Sequence, residues 1–291
     1  MITYLECIPC FLQQAIKCSK LLKLTSEQTK NVIDQVALTI PTLTIEKSPP
    51  WNSRIIYDVI QSVTGSDDPF DSIKKESNQK ALLLCDAAQK MIHDSSDPLK
   101  MAVKVAAAGN VIDYGTKQNL TSITKAFHNS LKQTFSVFCF ESLKEHLANA
   151  EKILFLGDNA GEIVFDRLLI ETIGKPVTYA VRGFPIINDA LKKDAIDVGL
   201  DEVATVIDNG AGYPGTVLEM CSDSFQKIFK NADLIISKGQ GNFETLCDTK
   251  GPICMIFMVK CNQVVQHVQE LYSPAIKVKQ GQFVLACPTF S

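Results

Sequence analysis

Long apolar runs are missing from this 291-residue chain, and no stretch approaches the roughly 18 to 20 residues a membrane span needs. The opening MITYLECIPCFLQQA lacks the basic segment, apolar core and small-residue cleavage site of a secretory leader, so a cytoplasmic protein is expected. No excess of positive charge is present: the net charge of −3 gives no electrostatic reason to expect nucleic acid, although a small anion needs only a local positive site. Histidine is scarce, and His93, His128, His146 and His267 form no H-x-x-x-H pair. Walker and G-x-S-x-G sequences are also absent. The dinucleotide fingerprint fails twice, because the turn at 157–161 reads GDNAG and GQGNFE at 239–244 puts Glu244 where the third glycine belongs.

Ten cysteines are present, mostly in apolar surroundings such as ALLLCDAA, SVFCFES and PICMIF, which suits reduced core thiols better than a disulfide framework. Only Cys7 and Cys10 form a CxxC. A zinc site there needs two further ligands, and no second CxxC supplies them; structural thiols and a metal or redox role both stay open.

Composition is that of a globular protein, 46% apolar and 21% charged, and the length suits two parts. Residues 1–150 read as a mainly helical region serving as cap and support. Apolar positions recur three and four apart in TSEQTKNVIDQVALTI, SNQKALLLCDAAQKMI and DPLKMAVKVAAAGNVIDYG, with start signals at Thr25-Ser26 and Asp97-Pro98. The segment SPPWNSR at 48–54 reads as a connection between helical layers.

Residues 151–291 change rhythm. Apolar strands are expected at 152–157, 176–183, 202–208, 232–239 and 252–260, with helices near 160–173, 189–198, 215–230 and 242–249. This alternation predicts an α/β fold in which a Rossmann-like, doubly wound parallel sheet follows the helical region. Ligands of such sheets sit at the carboxyl ends of the strands, where the strand order reverses.

That rule gathers one set of polar residues. Asp158 and Asn159 follow the first strand; Arg182, Asn188 and Asp189 follow the second; Asp208 and Asn209 follow the third; Lys238, Asn242 and Glu244 follow the fourth. Two aspartates and a carboxamide offer oxygen ligands only, which suits a hard divalent ion rather than zinc. Lys238 and the backbone N–H groups from Gly239 through Gly241 to Asn242 would offset charge on a transferring phosphoryl group. Ala160 and Gly161 would let the substrate approach a helix start. Taken singly, Asp158-Asn159 and Asn188-Asp189 also suit helix caps, and Lys238-Gly239 a simple turn.

ECIPCFLQQA, AAAGNVIDYG, FLGDNAGEIVFD, VRGFPIINDA and SKGQGNFETL, in that order over nearly the whole chain, resemble the metal-dependent damage-control phosphatases, a domain family formerly of unknown function, in its CxxC-bearing prokaryotic subfamily. The resemblance implies a helical region beside a Rossmann-like domain and hydrolysis of phosphosugars, nucleotides or damaged phosphometabolites with a divalent metal (Mn, Mg, Ni or Co). It maps the metal ligands to Asp158, Asn159 and Asp189, catalytic roles to Asp158, Asn159 and Lys238, and the phosphate segment to Lys238, Asn242 and Glu244. It also draws Asn110 and Asp113 into the site. Arg182, Gly239 and Gly241 complete the expected substrate contacts. The expected partner is a small phosphorylated metabolite, with neither nucleic acid nor membrane; oligomeric state and the identity of the nucleophile, water or Asp158, stay open. The rival readings are an S-adenosylmethionine-dependent methyltransferase, which lacks its acid after the second strand, and a protein that binds metal or phosphometabolite without turnover.

Overall fold

A computed structural model describes residues 1–111 and 120–288. The five expected strands form as β2 (Ile153–Leu156), β3 (Val177–Val181), β4 (Thr205–Asp208), β5 (Leu234–Lys238) and β6 (Ile253–Met258), each inside its expected run and within three residues of its bounds. The edge strand β4 exposes Thr205 and Asp208, whereas β2, β5 and β6 are buried on both faces, with Ile153 and Phe155 turned into one apolar cluster and Leu154 and Leu156 into the other. That accounts for unbroken apolar runs in place of alternation.

Two strands escape the sequence reading: β1 (Phe135–Phe138) and β7 (Phe283–Ala286). The described sheet runs β1-β7-β6-β5-β2-β3-β4, and every pairing is parallel except β6 with β7. The expected helical region followed by a doubly wound parallel sheet is present, with β6 and β7 as the one antiparallel pair of the described sheet. Four-residue strands carry too little pattern to be distinguished from helix ends, and β1 lies in a stretch read as helical. The antiparallel pair also corrects one cysteine assignment. Cys254 stands opposite Cys287, with Cα atoms 4.2 Å apart, and the two form a disulfide. Neighbours across an antiparallel ladder come within bridging range, whatever their separation in sequence.

On one face of the sheet lie α4 (Asp71–His93), α5 (Pro98–Ala108), α6 (Leu120–Leu131), α7 (Phe140–Asn149) and α8 (Ile163–Ile173). On the other lie α10 (Asp223–Lys230), α11 (Gln240–Leu246) and α12 (Asn262–Tyr272). The short α9 (Lys192–Asp197) follows β3. A third cluster joins α1 (Cys7–Leu21), α2 (Ser26–Thr39) and α3 (Pro49–Thr64) to Ile186 and Ile187 from the loop after β3.

Local signals explain several boundaries. Thr25 and Gln28 close a reciprocal capping box on α2, and Asp97 accepts from the Lys100 amide ahead of α5. Pro49-Pro50, expected in a connection, opens α3 instead, because a first-turn proline forgoes an N–H that has no helical partner. Trp51 stacks on Tyr213 at 5.5 Å, and Arg54 Nη1 donates to Gly212 O at 2.8 Å. These contacts fasten α3 to the loop after β4. Among the described residues no helix is long and apolar enough to cross a membrane.

Phe155 is fully buried on β2 and stacks on Tyr179 at 5.1 Å. Phe155→Ala is expected to lower unfolding free energy by about 3–5 kcal/mol, read from urea denaturation with an unchanged m-value.

Candidate metal and phosphate site

Chain β2 → β3 → β4 grows the sheet in one direction, and β5 then returns to the other side of β2. The order reverses between β2 and β5, so their carboxyl ends open on one crevice. At that point the segment after β2 is stitched to the segment after β3. Ala190 N donates to Asp158 O at 2.9 Å, Ala160 N donates to Asn188 O at 2.8 Å, and Asn159 and Asp189 form an isolated antiparallel bridge. The stitching sets Asp158, Asn159 and Asp189 side by side on the wall of a cavity of about 630 Å³. None of them caps a helix: α8 begins at Ile163 and α9 at Lys192, whose first turn is served by Asp194 accepting from the Leu191 amide.

Asn159 Nδ2 donates to Asp158 Oδ2 at 2.8 Å and lies 3.4 Å from Glu162 Oε2. With its N–H groups given to carboxylates, the amide leaves its oxygen to act as a ligand. Arg182, 2% exposed, donates from Nε to Asp189 Oδ2 at 2.7 Å, and its Nη2 lies 3.6 Å from Asp158 Oδ1 without a hydrogen bond. One guanidinium thus faces two buried aspartates, with Glu162 as a third acid on the cavity wall. Burial, then Asp189 and Glu162, push the Asp158 carboxyl up to about 8; burial also raises Asp189, against the pull of Arg182. A buried acidic site of this kind stabilises a cation, and its all-oxygen donors fit a hard divalent ion.

Lys238 stands elsewhere than expected. Its Nζ contacts Glu162 Oε1 at 2.6 Å, Asp166 Oδ1 at 2.5 Å and Ala106 O at 2.9 Å, and it is fully buried behind the cavity wall. Burial works against its charge, but Asp166 and Glu162 hold it protonated. Tyr179 OH donates to the other oxygen of Asp166 at 2.8 Å. The ammonium therefore orients Glu162, whose other oxygen accepts from Asn110 Nδ2 at 3.0 Å.

Arg182, Gly239 and Asn242 are likewise supports rather than cavity-lining groups. Asn242 donates to Lys238 O at 2.7 Å and Gly157 O at 3.3 Å and accepts from Thr216 Oγ1 at 2.8 Å, tying together the loops after β2, β4 and β5. Gly239 has φ +87°, and a Cβ there would sit 2.0 Å from Asp158 Oδ2. Its N–H is taken by Ile256 O, and those of Ala160 and Gly161 by Asn188 O and Asn78 Oδ1, so none of these amides is open to phosphate. Asp208 and Asn209 shape the turn after β4, accepting from Gly210 and from Gly183 and Ala211. Gly241, Glu244 and Asn110 do line the cavity, while Asp113 lies outside the described residues. Burial raises the Glu244 carboxyl to about 7.

Sequence reasoning missed Glu162, just before α8, and Lys260, just past β6, both on the cavity wall. Helix α1 contributes Cys7, Cys10, Gln14 and Lys17 to the same cavity.

Lys238→Met leaves Glu162 and Asp166 without their buried cation, and an expected loss of about 3–5 kcal/mol would appear in chemical denaturation. The raised Asp158 carboxyl keeps, in the folded state, a proton that the unfolded chain releases. Metal-stripped protein should therefore lose stability as pH climbs from about 4 to about 8. A bound divalent cation should oppose the loss, and Asp158→Asn should flatten it, measured as melting temperature against pH; equal slopes in both proteins would remove Asp158 as the source.

Comparison with known proteins yields one family. Residues 3–273 match the model of the damage-control phosphatase ARMT1-like domain. An uncharacterized protein of Methanocaldococcus jannaschii is 33% identical over 285 residues, covering 90% of each chain. A damage-control phosphatase of Archaeoglobus fulgidus is 33% identical over 233 residues, 76% of this chain and 80% of its own. Damage-control phosphatase PH1575 of Pyrococcus horikoshii is 30% identical over 273 residues, 91% of this chain and 93% of its own. The crystal structure of PH1575, titled as a DUF89 family protein, superimposes with a TM-score of 0.88 at 28% identity, covering 99% of both chains. The chain belongs to the damage-control phosphatase ARMT1-like domain family.

Proposed function

We propose that this protein is a divalent-metal-dependent hydrolase of phosphate monoesters of small metabolites. The observation that carries the reading is the stitched pair of segments at the sheet's switch point, which aims Asp158, Asn159 and Asp189 into one cavity. These three side chains would hold the ion. When bound, a divalent ion offsets phosphoryl charge and makes water a better nucleophile at neutral pH.

The remaining work falls to the chain's own residues. Arg182 holds Asp189, and to a lesser degree Asp158, in orientation. Glu162, fixed by Lys238 and Asn110, holds the Asn159 amide with its oxygen toward the ion. Lys17 and Lys260 line the cavity and add positive charge against a phosphoryl group, while Gln14, Asn188 and Gln240 offer polar groups to substrate hydroxyls. Attack by water is favoured over attack by Asp158, whose carboxylate is committed to the ion.

The test is phosphate release from sugar phosphates and nucleotides by metal-stripped protein given Mg²⁺, Mn²⁺, Co²⁺ or Ni²⁺. Turnover is expected only with metal, and Asp158→Asn or Asp189→Asn should lower it on the order of 100-fold or more, the scale of losing one preorganised electrostatic group. Metal and phosphometabolite binding without product release would overturn hydrolysis in favour of a binding protein.

A further inference from the structure

We infer that Cys247, Asp248 and His267 form a second metal site, for a borderline ion such as Zn²⁺, that pins the end of α11 to α12 outside the proposed catalytic cavity. Cys247 follows the last residue of α11, and His267 lies on α12. Cys247 Sγ stands 3.2 Å from His267 Nε2, Asp248 Oδ1 stands 3.8 Å from the same nitrogen, and the three ligand atoms lie within 4.8 Å of one another. Zinc bonds of about 2.0–2.3 Å to nitrogen, oxygen and sulfur imply tetrahedral edges of roughly 3.3–3.6 Å, and the two separations from His267 Nε2 lie within about half an ångström of that range. Among the described residues this is the one His/Cys/Asp/Glu group so closely spaced.

The amino group of Met1 lies 3.2 Å from Cys247 Sγ, 2.9 Å from Asp248 Oδ2 and 2.8 Å from Glu244 O, so a bound ion would displace it from the first two. A further observation points to a ligand. The other ring nitrogen of His267, Nδ1, is buried without a hydrogen bond, and Glu270 Oε2 lies 3.6 Å away. Metal-bound histidines commonly hand that second N–H to a carboxylate, and a small rotation of Glu270 completes the pairing.

Burial holds the Cys247 thiol up and the His267 imidazole down, so the imidazole is neutral and its lone pair available. On binding, the Cys247 S–H bond breaks, its proton goes to solvent, and the sulfur electron pair forms the bond to the ion. One thiolate, one imidazole and one carboxylate select against Mg²⁺ and Ca²⁺, the opposite preference to the all-oxygen set at Asp158, Asn159 and Asp189. Because α11 also carries Gln240 and Glu244, which line the cavity, the ion would brace one wall of it.

The test uses the reduced, metal-stripped full chain titrated with Co²⁺ alone. The expected result is a sulfur-to-cobalt charge-transfer absorption with the strong visible bands of a four-coordinate ion, displaced by Zn²⁺ but not by Mg²⁺. Cys247→Ser should abolish the charge-transfer band. His267→Gln, a milder change should the first variant fold poorly, should weaken Zn²⁺ binding by more than the roughly 10- to 100-fold typical of losing a partner behind a ligand. Asp158→Asn and the double variant Cys7→Ala, Cys10→Ala should retain the band. No charge-transfer band in the wild type, persistence of the band in Cys247→Ser, or its loss with Cys7 and Cys10 instead, would overturn the site.

Discussion

Compensation of buried charge is the constraint around which the cavity side of this molecule is arranged. Asp158, Asp189, Glu162 and Asp166 are all buried near the ends of β2 and β3 and the start of α8, and the buried cations opposite them are Arg182 and Lys238. Burying an ion costs several kcal/mol unless partners surround it, so each cation is held by more than one acid or carbonyl. Lys238 satisfies Glu162, Asp166 and Ala106 O together, and Tyr179 takes the remaining face of Asp166. What stays under-compensated is the side facing the cavity, where Asp158 accepts from the neutral Asn159 amide and its nearest cation is Arg182, 3.6 Å away. Acids left short of positive charge beside open space are the feature on which the proposed metal role rests.

The backbone makes this arrangement tolerable. Parallel strands deliver every loop of this set to one edge of the sheet, and the reversal between β2 and β5 leaves room there that adjacent crossovers would otherwise fill. The stitched segments after β2 and β3 then act as a two-rung ladder, which holds Asp158 and Asp189 without relying on their side-chain rotamers. Gly239 serves the same end from the β5 side, since its positive φ and missing Cβ keep the space occupied by the Asp158 carboxylate. The helical elements complete the enclosure: α3 is anchored to the loop after β4, and α1 brings its amino-terminal turn, with Cys7 and Cys10, onto the cavity wall.

Much of this was legible in the sequence because it is local. Five strands announce themselves as short apolar runs, most clearly β2, β5 and β6, which are buried on both faces, and Asp158, Asn159 and Asp189 are legible as a group because parallel topology places strand ends together. The same locality explains what stayed hidden. Strands β1 and β7 are too short to show a period, and their partners lie far away in sequence, so the Cys254–Cys287 pairing was out of reach.

Tertiary structure alone decided where the long side chains point and which distant elements meet. Lys238 follows a strand directly at the crevice, yet turns away from it, because α8 crosses behind β5 with two acids and the charge is held more strongly there than at an open wall. Arg182 is drawn in the same way to Asp189. Cys247, just past the end of α11, and His267 on α12 are twenty residues apart and meet because α11 and α12 pack on the same face of the sheet. A strand's period belongs to the chain, whereas the partner of a flexible charged or metal-binding side chain is set by whatever the fold brings within a few ångströms.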